Sequence, residues 1–194
     1  MAIGAPIALE KATRFLFGCR KPSQKSCDVF INHRGIDTKR NIAGLLNDRL
    51  TQLNISSFLD SKSMEPGDKL YDSIESAINE CRVAIAILSP RYCESFFCLH
   101  ELAMLVGSGK KIIPIFYDIK PSELQVVDTD GSISPEKMEM FTRAIQEVRY
   151  TVGITFDSQN GNWSDLISRT VNVVKNSLNN EAFWYLDLIL GHRN

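Results

Sequence analysis

Five times along this chain a run of strand length is followed by a segment whose apolar residues recur at helical spacing. That alternation constrains the fold more than any other feature. Cys27–Asn32, Ile55–Leu59, Val83–Leu88 and Lys111–Tyr117 read as strands, and Val152, Ile154 and Phe156 alternate like a short half-buried strand. Between and after them, helices are expected over Thr38–Leu53, Asp68–Glu80, Ser95–Gly107, Glu136–Tyr150 and Asp165–Leu178. Ile42, Leu45, Leu46, Leu50 and Leu53 form the apolar face of the first, and Ile167, Val171, Val174 and Leu178 that of the last. Val83–Leu88 is almost wholly apolar, as a central strand covered on both faces must be. Pro114 cannot donate to a ladder, which puts its strand near an edge or makes it irregular. The expected fold is α/β: a flavodoxin-like three-layer sandwich, a five-stranded parallel sheet with helices on both faces.

The expected organisation is a flexible leader over residues 1–25, a domain over 26–179 and an apolar tail over 180–194. A net charge of −1 without a basic block gives a nucleic-acid partner no electrostatic support. Cys19, Cys27, Cys81, Cys93 and Cys98 are odd in number and form no Cys-x-x-Cys pair, so they read as reduced thiols in a cytoplasmic or nucleocytoplasmic setting. His33, His100 and His192 show no metal-ligand spacing, so no metal site is expected. No apolar run approaches the ~20 residues of a membrane span. The tail Glu181–Leu190 reads first as a packed terminal helix and second as an association or membrane-surface element.

In an open parallel sheet, ligands bind beyond the carboxyl ends of the strands. Two segments fall there. One is Ser89-Pro90-Arg91-Tyr92-Cys93-Glu94-Ser95-Phe96-Phe97-Cys98-Leu99-His100-Glu101-Leu102, which leaves the third strand and opens the third helix. Glu101 is next to Leu102 of the core stripe, at the edge of the buried face. The other is Asn32-His33-Arg34-Gly35-Ile36-Asp37-Thr38-Lys39-Arg40. Gly35 allows a tight turn there, Asp37 or Thr38 can cap the helix, and Arg34 can bind a phosphate bidentately. Ordinary turn chemistry explains Gly35, Asp37 and Thr38, and explains Arg34 least. Gly107-Ser108-Gly109-Lys110-Lys111 lacks the spacing and the strand-to-helix order of a phosphate loop and reads as a helix terminus. Receiver chemistry needs clustered acids after the first strand and an aspartate after the third. Asn32-His33 and Ser89-Pro90 stand there instead.

The first segment resembles the Ser-x-x-Tyr-x-x-Ser-x-Trp-Cys-Leu-x-Glu-Leu stretch of plant Toll/interleukin-1 receptor (TIR) domains, and the second their Ser-Phe-Arg-Gly-x-Asp-Thr-Arg pattern. Phe97 replaces the tryptophan, and Asn32 and His33 depart from the second pattern. The chain is in this similar to the stand-alone TIR-only subgroup of grasses. The resemblance implies an enzyme of plant immune signalling that cleaves NAD+, or NAD+ and NADP+ both, to nicotinamide and ADP-ribose or cyclic variants. NAD+ is then substrate and no cofactor is needed. It implies Glu101 as the catalytic carboxylate, Ser95 on a ribose hydroxyl, His33 and Phe97 stacked on rings, Arg34 on phosphate and Gly35 at a close approach. Nicotinamide leaves as a neutral base, so one carboxylate suffices where a glycosidase needs two. That carboxylate either stabilises an oxocarbenium-like ribose or orients the attacking hydroxyl. The resemblance further implies self-association involving the loop Asp60–Asp68. The competing reading is a non-catalytic scaffold that only oligomerises with or recruits other TIR proteins.

Overall fold

The computed structural model of the chain describes residues 27–59, 70–128 and 131–190. The leader and the loop Asp60–Asp68 lie outside these. The strands are β1 (Val29–His33), β2 (Ser57–Phe58), β3 (Val83–Leu88), β4 (Lys111–Tyr117) and β5 (Ile154–Phe156). They pair in parallel in the order β2-β1-β3-β4-β5, the expected flavodoxin-like topology. The helices are α1 (Gly35–Thr38), α2 (Gly44–Gln52), α3 (Leu70–Glu80), α4 (Phe96–Gly107), α5 (Pro135–Tyr150) and α6 (Trp163–Leu190).

Strand alternation sorts the core into two layers. Val29, Ile31, Val83, Ile85, Ile87, Ile113 and Ile115 face Leu46, Leu50, Leu166, Val171 and Val174 of α2 and α6. Phe30, Ala84, Ala86, Leu88 and Phe116 face the opposite way, onto α3, α4 and α5. Every residue of β3 is buried. Each fully buried isoleucine there is worth about 1.5–3 kcal/mol relative to exposure. Ala86 is small on the α4 side, which leaves room for the bulky buried side chains Tyr92, Leu99 and Leu102.

Several boundaries differ from expectation for local reasons. The single helix expected over Thr38–Leu53 is broken: α1 is followed by a wide π-type turn, Lys39–Ala43, in which Asn41 departs from helical geometry (φ −123°, ψ −107°). Asn41 holds the break with its own side chain, accepting from the Ile42 amide at 2.6 Å and donating to the Asp37 carbonyl and the Tyr117 hydroxyl. The rotation this imposes turns Leu45 outward, 47% exposed, and buries Ala43 instead. Pro114 sits one residue before the β4–β5 pairing begins at Ile115, on the strand next to the edge. Gly109, at φ +66°, ends α4 in the left-handed conformation, as a helix terminus should. The last helix continues past Leu178 to Leu190 without a break.

Candidate active site

The strand order reverses direction between β1 and β3, and the crevice at their carboxyl ends gathers both motifs. β1 delivers Asn32 and His33, and Arg34 and Gly35 follow at the start of α1. β3 delivers Ser89, and the short 3-10 turn Tyr92–Glu94 carries the chain to Ser95, the N-cap of α4. Glu101 lies one and a half turns into that helix, half-buried.

Asn32 connects the two sides. It is fully buried in a strand otherwise apolar up to that point, and an unsatisfied amide there would cost several kcal/mol. It is satisfied on three sides. Its amide nitrogen donates to Glu101 Oε2 at 2.8 Å and lies 3.3 Å from the Cys98 carbonyl, while its oxygen accepts from the Tyr92 hydroxyl. Tyr92 is itself fully buried and lies 3.0 Å from the same Cys98 carbonyl. Burial raises the Tyr92 phenol well above its ordinary pKa, with Cys98 and Glu101 adding to the effect, so it stays a neutral donor. The Cys98 thiol donates to the His33 carbonyl at 3.4 Å, and burial pushes it up to about 12. A thiol so raised is no nucleophile at neutral pH.

A second set of contacts ties the loops together. The Asp37 carboxylate accepts from Ser89 Oγ at 2.8 Å and from the Arg91 guanidinium, and its Oδ2 lies 3.9 Å from Arg34 Nε. Arg34 Nη2 reaches Glu94 Oε2 at 3.3 Å. Asp37 or Thr38 is expected to cap the helix, but neither side chain does so, Thr38 standing at the N-cap position of the π-type turn without a side-chain cap bond. The helix begins at Gly35 with Arg34 in the cap position and no side-chain cap, and the Thr38 hydroxyl donates back to the Arg34 carbonyl at 3.0 Å. Gly35 adopts no positive φ, and a Cβ there would meet only the Lys39 side chain at 3.9 Å. The fold therefore does not need glycine for its turn, and the open space beside it is what a close ligand approach requires.

Of the expected site residues, the crevice brings together His33, Arg34, Gly35, Ser95 and Glu101. Phe97 stands 49% exposed at the first turn of α4, edge-on to Phe96. Ser95 accepts from the Cys98 amide at 3.4 Å as the helix cap. His33 is buried, its Nδ1 3.3 Å from the Ile31 carbonyl. Asn32, Tyr92, Asp37 and Arg91 were missed as working parts. The available signal was a polar residue closing an apolar strand.

Residues 27–182 match the TIR domain family. The chain is 55% identical over 150 residues to a Brachypodium distachyon protein named "Probable 2' cyclic ADP-D-ribose synthase BdTIR", covering 76% of this chain and 67% of that one. It is 30% identical over 167 residues to the disease resistance-like protein CSA1 of Arabidopsis thaliana, covering 79% of this chain but 14% of that much longer protein. The TIR domains of the activated Roq1 resistosome, which recognises the pathogen effector XopQ, superpose with a TM-score of 0.68 at 26% identity, over 77% of this chain and 99% of that one.

Proposed function

This chain belongs to the TIR domain family, and we propose that it cleaves the nicotinamide–ribose bond of NAD+ in plant immune signalling, giving nicotinamide and a cyclic ADP-ribose product or ADP-ribose. The observation that carries the reading is a half-buried carboxylate, Glu101, held by the buried Asn32 amide at 2.8 Å in the crevice between β1 and β3. The name of the Brachypodium relative, at 55% identity, supports the cyclic outcome.

The bond that breaks joins the ribose anomeric carbon to a pyridinium nitrogen. Its electron pair stays on nicotinamide, which departs uncharged and needs no proton. Positive charge develops on the ribose, and a carboxylate in a partly desolvated crevice is worth most against such charge. Attack by a hydroxyl of the same molecule closes a cyclic product, and attack by water gives ADP-ribose. In either case the attacking hydroxyl must lose a proton, which the same carboxylate can accept or orient. Arg34 would hold phosphate by exchanging its Glu94 partner for a phosphate oxygen. Phe97 and His33 would flank the rings, Ser95 a ribose hydroxyl, and Gly35 would leave room for the chain of phosphates. Self-association through TIR contacts, with the loop Asp60–Asp68 among them, would complete the site. Turnover per molecule then rises with protein concentration.

The test is nicotinamide release from NAD+ by purified protein at high concentration, beside Glu101→Ala. The variant is expected to lose turnover while its melting temperature and its light-scattering mass stay unchanged. Undiminished release by the variant overturns the assignment of Glu101. No release by either protein, with assembly intact, favours the scaffold.

A further inference from the structure

We infer that Asn32 is a positioning residue for the Glu101 carboxylate, and that Tyr92 sets the orientation in which Asn32 does so. The inference rests on the proposed NAD+ cleavage and deepens it. It names which buried groups decide where the reacting carboxylate points.

Hydrogen-bond chemistry leaves the Asn32 amide one way round. Glu101 Oε2 and the Cys98 carbonyl are both acceptors, at 2.8 and 3.3 Å, so the amide nitrogen must face them. The Tyr92 hydroxyl is the donor on the other side, so the amide oxygen faces it. The reverse orientation would set two oxygens against one carbonyl and lose both bonds to α4. Tyr92 cannot rotate away, because its ring is fully buried among Ala86, Leu88, Leu99 and Leu102. The Asn32 backbone is held by its pairing with β3, in register with Ala86.

Glu101, by contrast, sits on a helix face with three side-chain torsions to fix. An anchored donor on Oε2 restricts them and fixes the direction in which the carboxylate points. Catalysis depends on such fixed geometry more than on affinity, because a misplaced group loses rate without losing ground-state binding. A residue that only fills the core would do the opposite, lowering stability and leaving turnover per folded molecule alone.

Three variants separate these cases: Glu101→Gln, the similarly shaped Asn32→Leu, which removes the donor to Glu101 without adding a charge and leaves the Tyr92 hydroxyl the Cys98 carbonyl as acceptor, and Tyr92→Phe, which keeps Asn32 and removes its orienting hydroxyl. Steady-state kinetics on NAD+ are measured at one fixed protein concentration, with rates normalised to the folded fraction from thermal melts. Loss of a hydrogen bond to a charged group should cost Asn32→Leu roughly tenfold or more in kcat, with KM held within about twofold. Tyr92→Phe should fall between Asn32→Leu and the native chain, and the double variant should be no worse than Asn32→Leu alone, because both changes remove one device. Native kcat in folded Asn32→Leu, or a kcat loss matched by a KM rise, overturns the inference even if Glu101→Gln is dead. A native chain that releases no nicotinamide overturns the NAD+ reading and this inference together.

Discussion

At the scale of single residues, the crevice separates side chains buried in the core from those that stand exposed beside it. Phe97 is the clearest case. At 49% exposed, with Cys98 and Leu99 beside it buried, it flanks the core without filling it. Phe97→Ala should therefore cost well under the about 3–5 kcal/mol of a core phenylalanine. It should raise KM for NAD+ roughly fivefold or shift the product ratio, the loss of one stacking partner worth about 1 kcal/mol. Phe97→Trp should be tolerated. Thermal unfolding beside kinetics decides, and a large fall in melting temperature with normal kinetics makes Phe97 a packing residue. The Arg34–Glu94 pair is a weaker feature: with Glu94 well exposed it adds about 0–1 kcal/mol, so a phosphate would displace it at little cost. The residues that carry a family motif could be read from the chain directly. Asp37 stands in such a motif, but its tie to Ser89 and Arg91 could not be read, because those partners are distant in sequence and only the β1–β3 pairing brings them near.

At the scale of elements, periodicity located β3 and β4 to the residue, since both are long apolar runs bounded by polar ones. It failed at the first helix, where it read one continuous face and missed the break at Asn41. One of the three hydrogen bonds at the break runs to the Tyr117 hydroxyl of β4, which no local pattern contains. The β5 edge has a comparable hidden constraint. A Cβ on Gly153 would stand 2.6 Å from the Phe116 ring and 2.7 Å from the Pro114 carbonyl. Gly153→Ala must push β5 away from β4, and we expect a loss of about 1–3 kcal/mol, read as a fall in melting temperature of roughly 2–10 °C. A variant that melts with the native chain would show that the edge strand yields freely.

At the scale of the whole molecule, burial makes the fold sensitive to alkali. Cys27 and Cys98 are pushed up to about 12 and Cys93 to about 11, each chiefly by burial, and Tyr92 is raised by the same cause. These groups are neutral when protonated, and the unfolded chain releases their protons first, near 9 for the thiols. Their contribution to stability is therefore whole below that pH and is lost as pH rises towards their folded values. Urea midpoints should hold up to about pH 9 and fall as pH rises from there towards about 12, and fall less for a Cys98→Ala chain. A flat profile would mean that the thiols titrate normally in the fold. What the sequence by itself determined is the α/β class, the parallel sheet and the two segments at its carboxyl edge, whereas the strand order β2-β1-β3-β4-β5 was an expectation that the structure decided. Those follow from side-chain periodicity and local turn chemistry, which are written residue by residue. Only the tertiary structure decided that Asn32 holds Glu101, that Tyr92 holds Asn32, and that Asp37 ties two loops instead of capping a helix. Each of those contacts joins residues 52 to 69 positions apart, and such pairs exist only once the sheet has set β1 beside β3.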